Sequence, residues 1–315
     1  MSGLAGRPGV LLMTYGSPAS LEREEVRAYM VRVRGGREPE SELVDEFTRR
    51  YSVIGGSPLI DITRAQGTAL ERQLGWPVEV GMRFSEPSIS TGLHALRRRG
   101  ASDIAAIILS PQYSPLLMSG YVRAIEDARQ DDGAALTVAV ADAWHEDPSF
   151  ISALAGRIRQ VLDTVQPRER ASVAVLLTAH SLPRRVADQE PRYLAQLGET
   201  ARAVAAGAGL VTGQWTFCWQ SAGHEPGEWM KPDFADLMPQ LAASGQRSVI
   251  VAPVQFLADH LEILYDIDIG AKEQAQASGI RFQRITSLND DPLLIDALAT
   301  VAHRTIGGPL ESSPT

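Results

Sequence analysis

The stretch ADHLEILYDID, residues 258–268, gathers Asp259, His260, Glu262, Asp266 and Asp268 within ten positions. On a helix, Glu262 and Asp266 are four apart and share a face, where like charges repel by about 0.2–0.5 kcal/mol. A cation or protons in transit would offset that repulsion, since paired carboxylates raise one another's pKa and can pass protons near neutrality. An ordinary solvated acidic face is the competing reading, but apolar Leu261, Ile263, Leu264 and Tyr265 interleave the run. Two further candidates end apolar runs of strand length: His180 in VAVLLTAHSLP (173–183) and Tyr15 in GVLLMTYGSP (9–18).

The elements that must position these groups are legible. Short β-rich runs alternate with amphipathic segments, the pattern of parallel sheets with crossover helices, so the chain is read as α/β with two similar Rossmann-like domains. At 315 residues it is comfortable for two cores. Strands are expected at 9–14, 78–82, 104–110 and 136–141, and again at 172–179, 212–217, 247–254 and 281–286. This gives an N-terminal domain over 1–144 and a C-terminal domain over 145–290. A helix at 291–306 crosses back to the first domain, and 307–315 form a disordered tail.

Tyr15 and His180 each end the first strand of their half, where open α/β sheets bind ligands; capping hydrogen bonds are the plainer alternative. With strand order 2-1-3-4, His180 and Glu262 follow neighbouring strands and can meet. An imidazole facing a carboxylate is a proton acceptor poised near pH 7 or a weak ligand pair for a borderline metal such as iron(II). There is no HExxH and no CxxC pair, so a tightly held zinc is not expected.

Composition narrows the function. The 30 basic and 38 acidic side chains give a net charge of −8 with no basic stripe, which argues against nucleic acid. Cys218 is the only cysteine, which excludes an internal disulfide and a protein-held iron–sulfur cluster, and fits a reducing cytosol. No apolar run approaches 18 residues, so no membrane span is expected and a soluble, cytoplasmic protein is. Neither GxGxxG nor GxxxxGK[ST] occurs, against nucleotide binding.

Three other stretches suit a large, flat, partly apolar ligand, though each taken singly reads also as loop or core. RYSVIGGSPL (50–59) offers Arg50, Tyr51 and Ser57 around a Gly-Gly turn, and Arg34 and Arg37 add cations. SPQYSPLLMSGY (110–121) sets Tyr113 and Tyr121 around Leu116, Leu117 and Met118. FCWQSAGHEPGEW (217–229) is aromatic and Gly-rich after a strand and reads poorly as simple core.

Taken in order, MTYGSP, RYSVIGGSPL, LSPQYSP, TAHSLP, CWQSAG followed by Trp229, and PVQFLADHLEILYDID resemble the ferrochelatase family nearly end to end. The resemblance implies a porphyrin held between the two domains and Fe2+ inserted into it in haem biosynthesis. It assigns His180 and Glu262 to catalysis, and these two with Tyr15 to the metal. Tyr15, Arg34, Arg50, Tyr51, Ser57 and Tyr121 match positions holding the macrocycle, and Asp266 lies next on a proton or metal path. Within that mechanism His180 is the base for the pyrrole protons, and activity falls on acidification near its own pKa. A cleft that bends the ring would draw on propionate binding energy.

The short, cluster-free form resembles enzymes that take coproporphyrin III, with protoporphyrin IX, another tetrapyrrole chelatase, or a non-catalytic porphyrin or haem carrier as alternatives. Gly270 stands where relatives carry a further carboxylate, and Gly35 where some have a second arginine. No tightly bound cofactor is expected: Fe2+ and porphyrin are substrates. The chain is expected to act as a monomer, in transient contact with the next enzyme of haem synthesis.

Overall fold

The structure is a computed structural model and describes residues 6–132, 136–223 and 226–307. Two four-stranded parallel sheets organise it. β1 (Pro8–Thr14), β2 (Val78–Met82), β3 (Asp103–Ile108) and β4 (Thr137–Val140) lie in the order β2-β1-β3-β4. β5 (Val173–His180), β6 (Trp215–Gln220), β7 (Ser248–Pro253) and β8 (Arg281–Arg284) repeat it as β6-β5-β7-β8. The central strands read as continuous apolar runs because both their faces are covered. Val10, Leu11, Leu12 and Met13 are fully buried, as are Val249, Ile250, Val251 and Ala252. Edge strand β8 alternates exposed and half-buried residues instead.

The chain divides into two compact units. One runs to Pro111, resumes over Pro115–Trp144 and takes in the segment from Asn289; the other comprises Gln112–Ser114 and His145–Leu288. The helix Pro292–Gly307 belongs to the first unit, where it packs on β3 and on the helix Leu59–Leu74 and buries Leu294, Leu298 and Val301. The tail expected to be disordered lies, from residue 308, outside the described residues.

Helix starts follow from their caps. The Asp147 carboxylate accepts from the Ser149 and Phe150 N–H groups at 2.9 and 3.2 Å, with Pro148 in the first turn of the helix that follows. The helix Ile89–Arg98 lies so close to its sheet that a Cβ on Gly92 would stand 2.6 Å from Leu11 Cδ1 and 2.7 Å from the Val80 carbonyl oxygen. Glycine is there for close approach.

One strand sits elsewhere than expected. β6 begins at Trp215, not 212, because Gly213 takes φ +84° in a turn closed by the Gln214 N–H on the Val211 carbonyl at 3.0 Å. The shift carries Cys218 and Trp219 into the strand and into the core. Beyond Gln220 the described residues of this stretch are exposed or half-buried and so are not simple core; His224 and Glu225 within it lie outside the described residues.

Candidate active site

In a 2-1-3-4 sheet the crevice at the carboxyl ends lies where the strand order reverses, between the first and third strands. In the second unit that point is flanked by His180, the last residue of β5, and by the segment after β7. The backbone of His180 is fixed: its N–H donates to Gln255 Oε1 at 2.7 Å, and Gln255 Nε2 donates to the buried Tyr193 hydroxyl at 2.5 Å. The ring is fixed too. His180 Nδ1 lies 2.5 Å from the Ser181 carbonyl oxygen, an acceptor, so Nδ1 carries a proton and Nε2 is the atom that titrates.

Nε2 faces Glu262 Oε1 at 3.5 Å. Glu262 stands at the start of a ten-residue π-helix, Glu262–Ala271, rather than on the α-helix that the spacing suggests. Ile263, Ile267 and Ala271, four apart each time, are fully buried against the sheet core with Leu176, Val249 and Val251. Glu262 and Asp266 are then held at the flank of the buried stripe.

Glu262 meets a second imidazole. His260 Nε2 lies 3.6 Å from Glu262 Oε2, while His260 Nδ1 lies 2.9 Å from the Ala258 carbonyl oxygen. Each carboxylate oxygen thus has one imidazole Nε2 beside it, and the Phe256 ring stands near both imidazoles, 6.4 Å from His180 and 4.6 Å from His260 between centroids. Burial alone presses His180 toward its neutral form. The Glu262 charge and hydrogen bond, the Ser181 carbonyl and the Asp266 charge outweigh that and raise its pKa to about 9. Burial likewise opposes the Glu262 charge, yet His180 and then His260 hold this carboxyl well below the usual range. Near neutrality the pair is an imidazolium facing a carboxylate. An imidazole so held takes up its proton at higher pH than an ordinary histidine.

His260 carries no assigned role in the sequence reading although it lies in the same run; its position two residues before Glu262 is the signal. Asp259 and Asp268, the other members, turn away to Arg284, whose Nε is 2.6 Å from Asp268 Oδ1 and whose Nη2 is 3.3 Å from Asp259 Oδ1. At Gly270 a Cβ would meet nothing closer than the Tyr265 carbonyl oxygen at 3.9 Å, so the backbone does not demand glycine there.

In the first unit Tyr15 directly follows β1 and is 46% exposed, unusual for a ring at the end of a buried strand. It packs edge-on against Phe84 at 4.8 Å. The Arg83 guanidinium lies 4.7 Å from the Phe84 ring centre and 5.2 Å from that of Tyr121. Tyr121 is buried; burial and then Tyr15 push its phenol's pKa up, against Arg83. Arg83 and Phe84 escaped the sequence reading, which held no pattern to mark them.

The other expected ligand-holding residues of this unit are dispersed in character. Arg34 ends the helix Arg23–Val33, and its buried Nε has no hydrogen-bond partner among the described residues. Arg50 donates from Nε to Glu46 at 2.8 Å and lies 5.6 Å from the Phe47 ring. Arg49 and then Arg50 hold Glu46 down to about 2. Tyr51 is buried, and Ser57 Oγ accepts from the Leu59 N–H at 3.4 Å where the next helix begins. Gly55 and Gly56 form the expected turn at φ +73° and +96°. No helix among the described residues is long and apolar enough to cross a membrane.

The family model described as Ferrochelatase matches residues 7–306. The chain belongs to the ferrochelatase family. A ferrochelatase of Deinococcus radiodurans is 40% identical over 94% of this chain and 95% of its own length. A coproporphyrin III ferrochelatase of Geobacillus thermodenitrificans is 36% identical over 95% and 96%. The solved structure of SirB from Bacillus subtilis with Fe3+ is similar with a TM-score of 0.59 at 14% identity, covering 95% of this chain and 96% of that one, which establishes likeness of fold.

Proposed function

We propose that this ferrochelatase inserts Fe2+ into coproporphyrin III, with His180 and Glu262 as the groups that take the pyrrole protons. The observation that carries this reading is the fixed tautomer: Nδ1 is spent on Ser181, so Nε2 alone is left to face Glu262 and the reaction. Metallation releases two N–H protons for each iron bound. One proton passes to the neutral Nε2, where Glu262 stabilises the imidazolium that results, and leaves by way of Glu262 toward Asp266 and solvent before the second is taken. The same two side chains offer one nitrogen and one oxygen donor to iron on its way to the ring, a set that suits a borderline divalent metal. Asp266, whose charge acts on His180, continues the proton or metal path.

Tyr15, Arg34, Arg50, Tyr51, Ser57 and Tyr121 are the residues proposed to hold the macrocycle. The Arg34 guanidinium, with a buried Nε lacking a partner among the described residues, suits a propionate. Coproporphyrin III is favoured over protoporphyrin IX because relatives such as that of Geobacillus thermodenitrificans carry its name.

The test is anaerobic metallation followed by absorbance, with Fe2+ and each porphyrin in turn, beside His180→Ala. Faster insertion into coproporphyrin III that vanishes in the variant is the expected result. Porphyrin binding without insertion that depends on His180 would leave a carrier in place of an enzyme.

A further inference from the structure

We infer that Arg284 is a positioning residue for metal insertion: it ties Asp259 and Asp268 into one ion cluster, fixing the wide helix that carries Glu262 and denying the metal those two carboxylates. The inference rests on the function proposed above. Arg284 is the last residue of edge strand β8, and its side chain is only 13% exposed. Nε and Nη2 donate to the two oxygens of Asp268 at 2.6 and 2.9 Å. Nη2 also lies 3.3 Å from Asp259 Oδ1. Nη1 donates to the Ile285 carbonyl at 2.9 Å and to Ser287 Oγ at 3.1 Å, and Ser287 Oγ in turn donates to Asp259 Oδ1 at 2.6 Å. Every guanidinium nitrogen is therefore engaged.

The two carboxylates bracket Glu262 in the chain, one three residues before it and one six after. Holding both from a strand outside the segment, one before the π-helix and one within it, sets the helix's position and rotation. A bidentate guanidinium does this with a geometry that an ammonium cannot copy. The second consequence is electrostatic. Nη2 sits where oxygens of two different carboxylates converge, at 2.9 and 3.3 Å, so the cation occupies the place a divalent ion would take. A cavity of about 230 Å³ is lined by Asp268 and Arg284 together with Lys272 and Phe282. Without the guanidinium, the acidic run would hold a second, unproductive metal site beside the productive one.

The experiment uses the full chain. Zn2+ binding to the porphyrin-free protein is counted by titration calorimetry for wild type, Arg284→Met, Arg284→Lys and Arg284→Met/Asp268→Asn, and insertion kinetics are measured with each substrate varied. Arg284→Met is expected to bind one Zn2+ more than wild type, and the added Asp268→Asn to abolish that extra equivalent. In Arg284→Met kcat is expected to fall about tenfold or more with the porphyrin KM within about twofold, as for other residues that orient metal ligands. Arg284→Lys keeps the charge, binds no extra Zn2+ and recovers part of kcat. A folded Arg284→Met with the wild-type Zn2+ count and kcat overturns the inference. If Arg284→Met does not fold, wild-type kcat in Arg284→Lys overturns it. Absence of insertion by the wild type would instead count against the proposed function, while the Zn2+ count still judges Arg284.

Discussion

Glu262→Gln keeps the volume of the side chain and one acceptor oxygen but removes the charge that faces His180. In the intact pair the imidazole pKa stands at about 9 against 6.5 unperturbed. At about 1.4 kcal/mol per tenfold, that corresponds to roughly 3 kcal/mol in favour of the imidazolium. Both side chains keep about a third of their surface, 29% and 33%, toward solvent, and screening trims the figure to roughly 2–3 kcal/mol. With the charge gone, burial, the largest single influence on this ring, is opposed by the Ser181 carbonyl, the Asp266 charge and a neutral hydrogen bond to the amide oxygen, and the midpoint is expected to fall toward 6.5. NMR of histidine-labelled, porphyrin-free protein reads it directly. A His180 midpoint within about 0.5 of the wild-type value would refute the reasoning.

The same shift dictates two pH dependences. In wild type the neutral imidazole is on the order of one part in a hundred at pH 7, so kcat/KM for the metal is expected to climb between pH 7 and 9. For stability, His180 has a folded pKa above its unfolded value, so its contribution is complete below 6.5 and lost as pH rises through about 9. Glu262 has a depressed pKa, so its contribution is present above about 4.5 and lost as pH falls. The destabilisation caused by Glu262→Gln is therefore expected to be largest between about pH 4.5 and 6.5 and to shrink toward pH 9.

Two further outcomes follow from packing. Gln255→Leu strips the partners from the His180 N–H and the buried Tyr193 hydroxyl; a loss of about 1–3 kcal/mol is expected in chemical denaturation, and an unchanged midpoint would mean that water replaces the amide. Gly92→Ala drives a methyl group into Leu11 and the Val80 carbonyl at under 3 Å, so about 1–3 kcal/mol of destabilisation is expected despite alanine's better helix propensity; a stabilised variant would show that the helix can lift from its sheet.

The linear chain determined the α/β class and the four-plus-four succession of strands, because central parallel strands are unbroken apolar runs and the crossovers between them are amphipathic; the 2-1-3-4 order is a property of the folded sheets. It also determined that Tyr15 and His180 end first strands and that Glu262 follows a third, since strand ends are marked by small residues and turn prolines. The ordered motifs carried the family. Where β6 begins was less legible, because Gly213 terminates a turn rather than interrupting a strand, a distinction of backbone angle.

Only the tertiary structure decided how the acidic run is divided. Asp259, Glu262 and Asp268 are chemically alike in sequence, yet Arg284, arriving from another strand, takes the first and last, while His180 and His260 take the one between. The protonation state of His180 was settled in the same way. A ring nitrogen bound to a carbonyl, a carboxylate at 3.5 Å and the partial burial of both side chains are properties of positions in space, and a pKa is the balance among them.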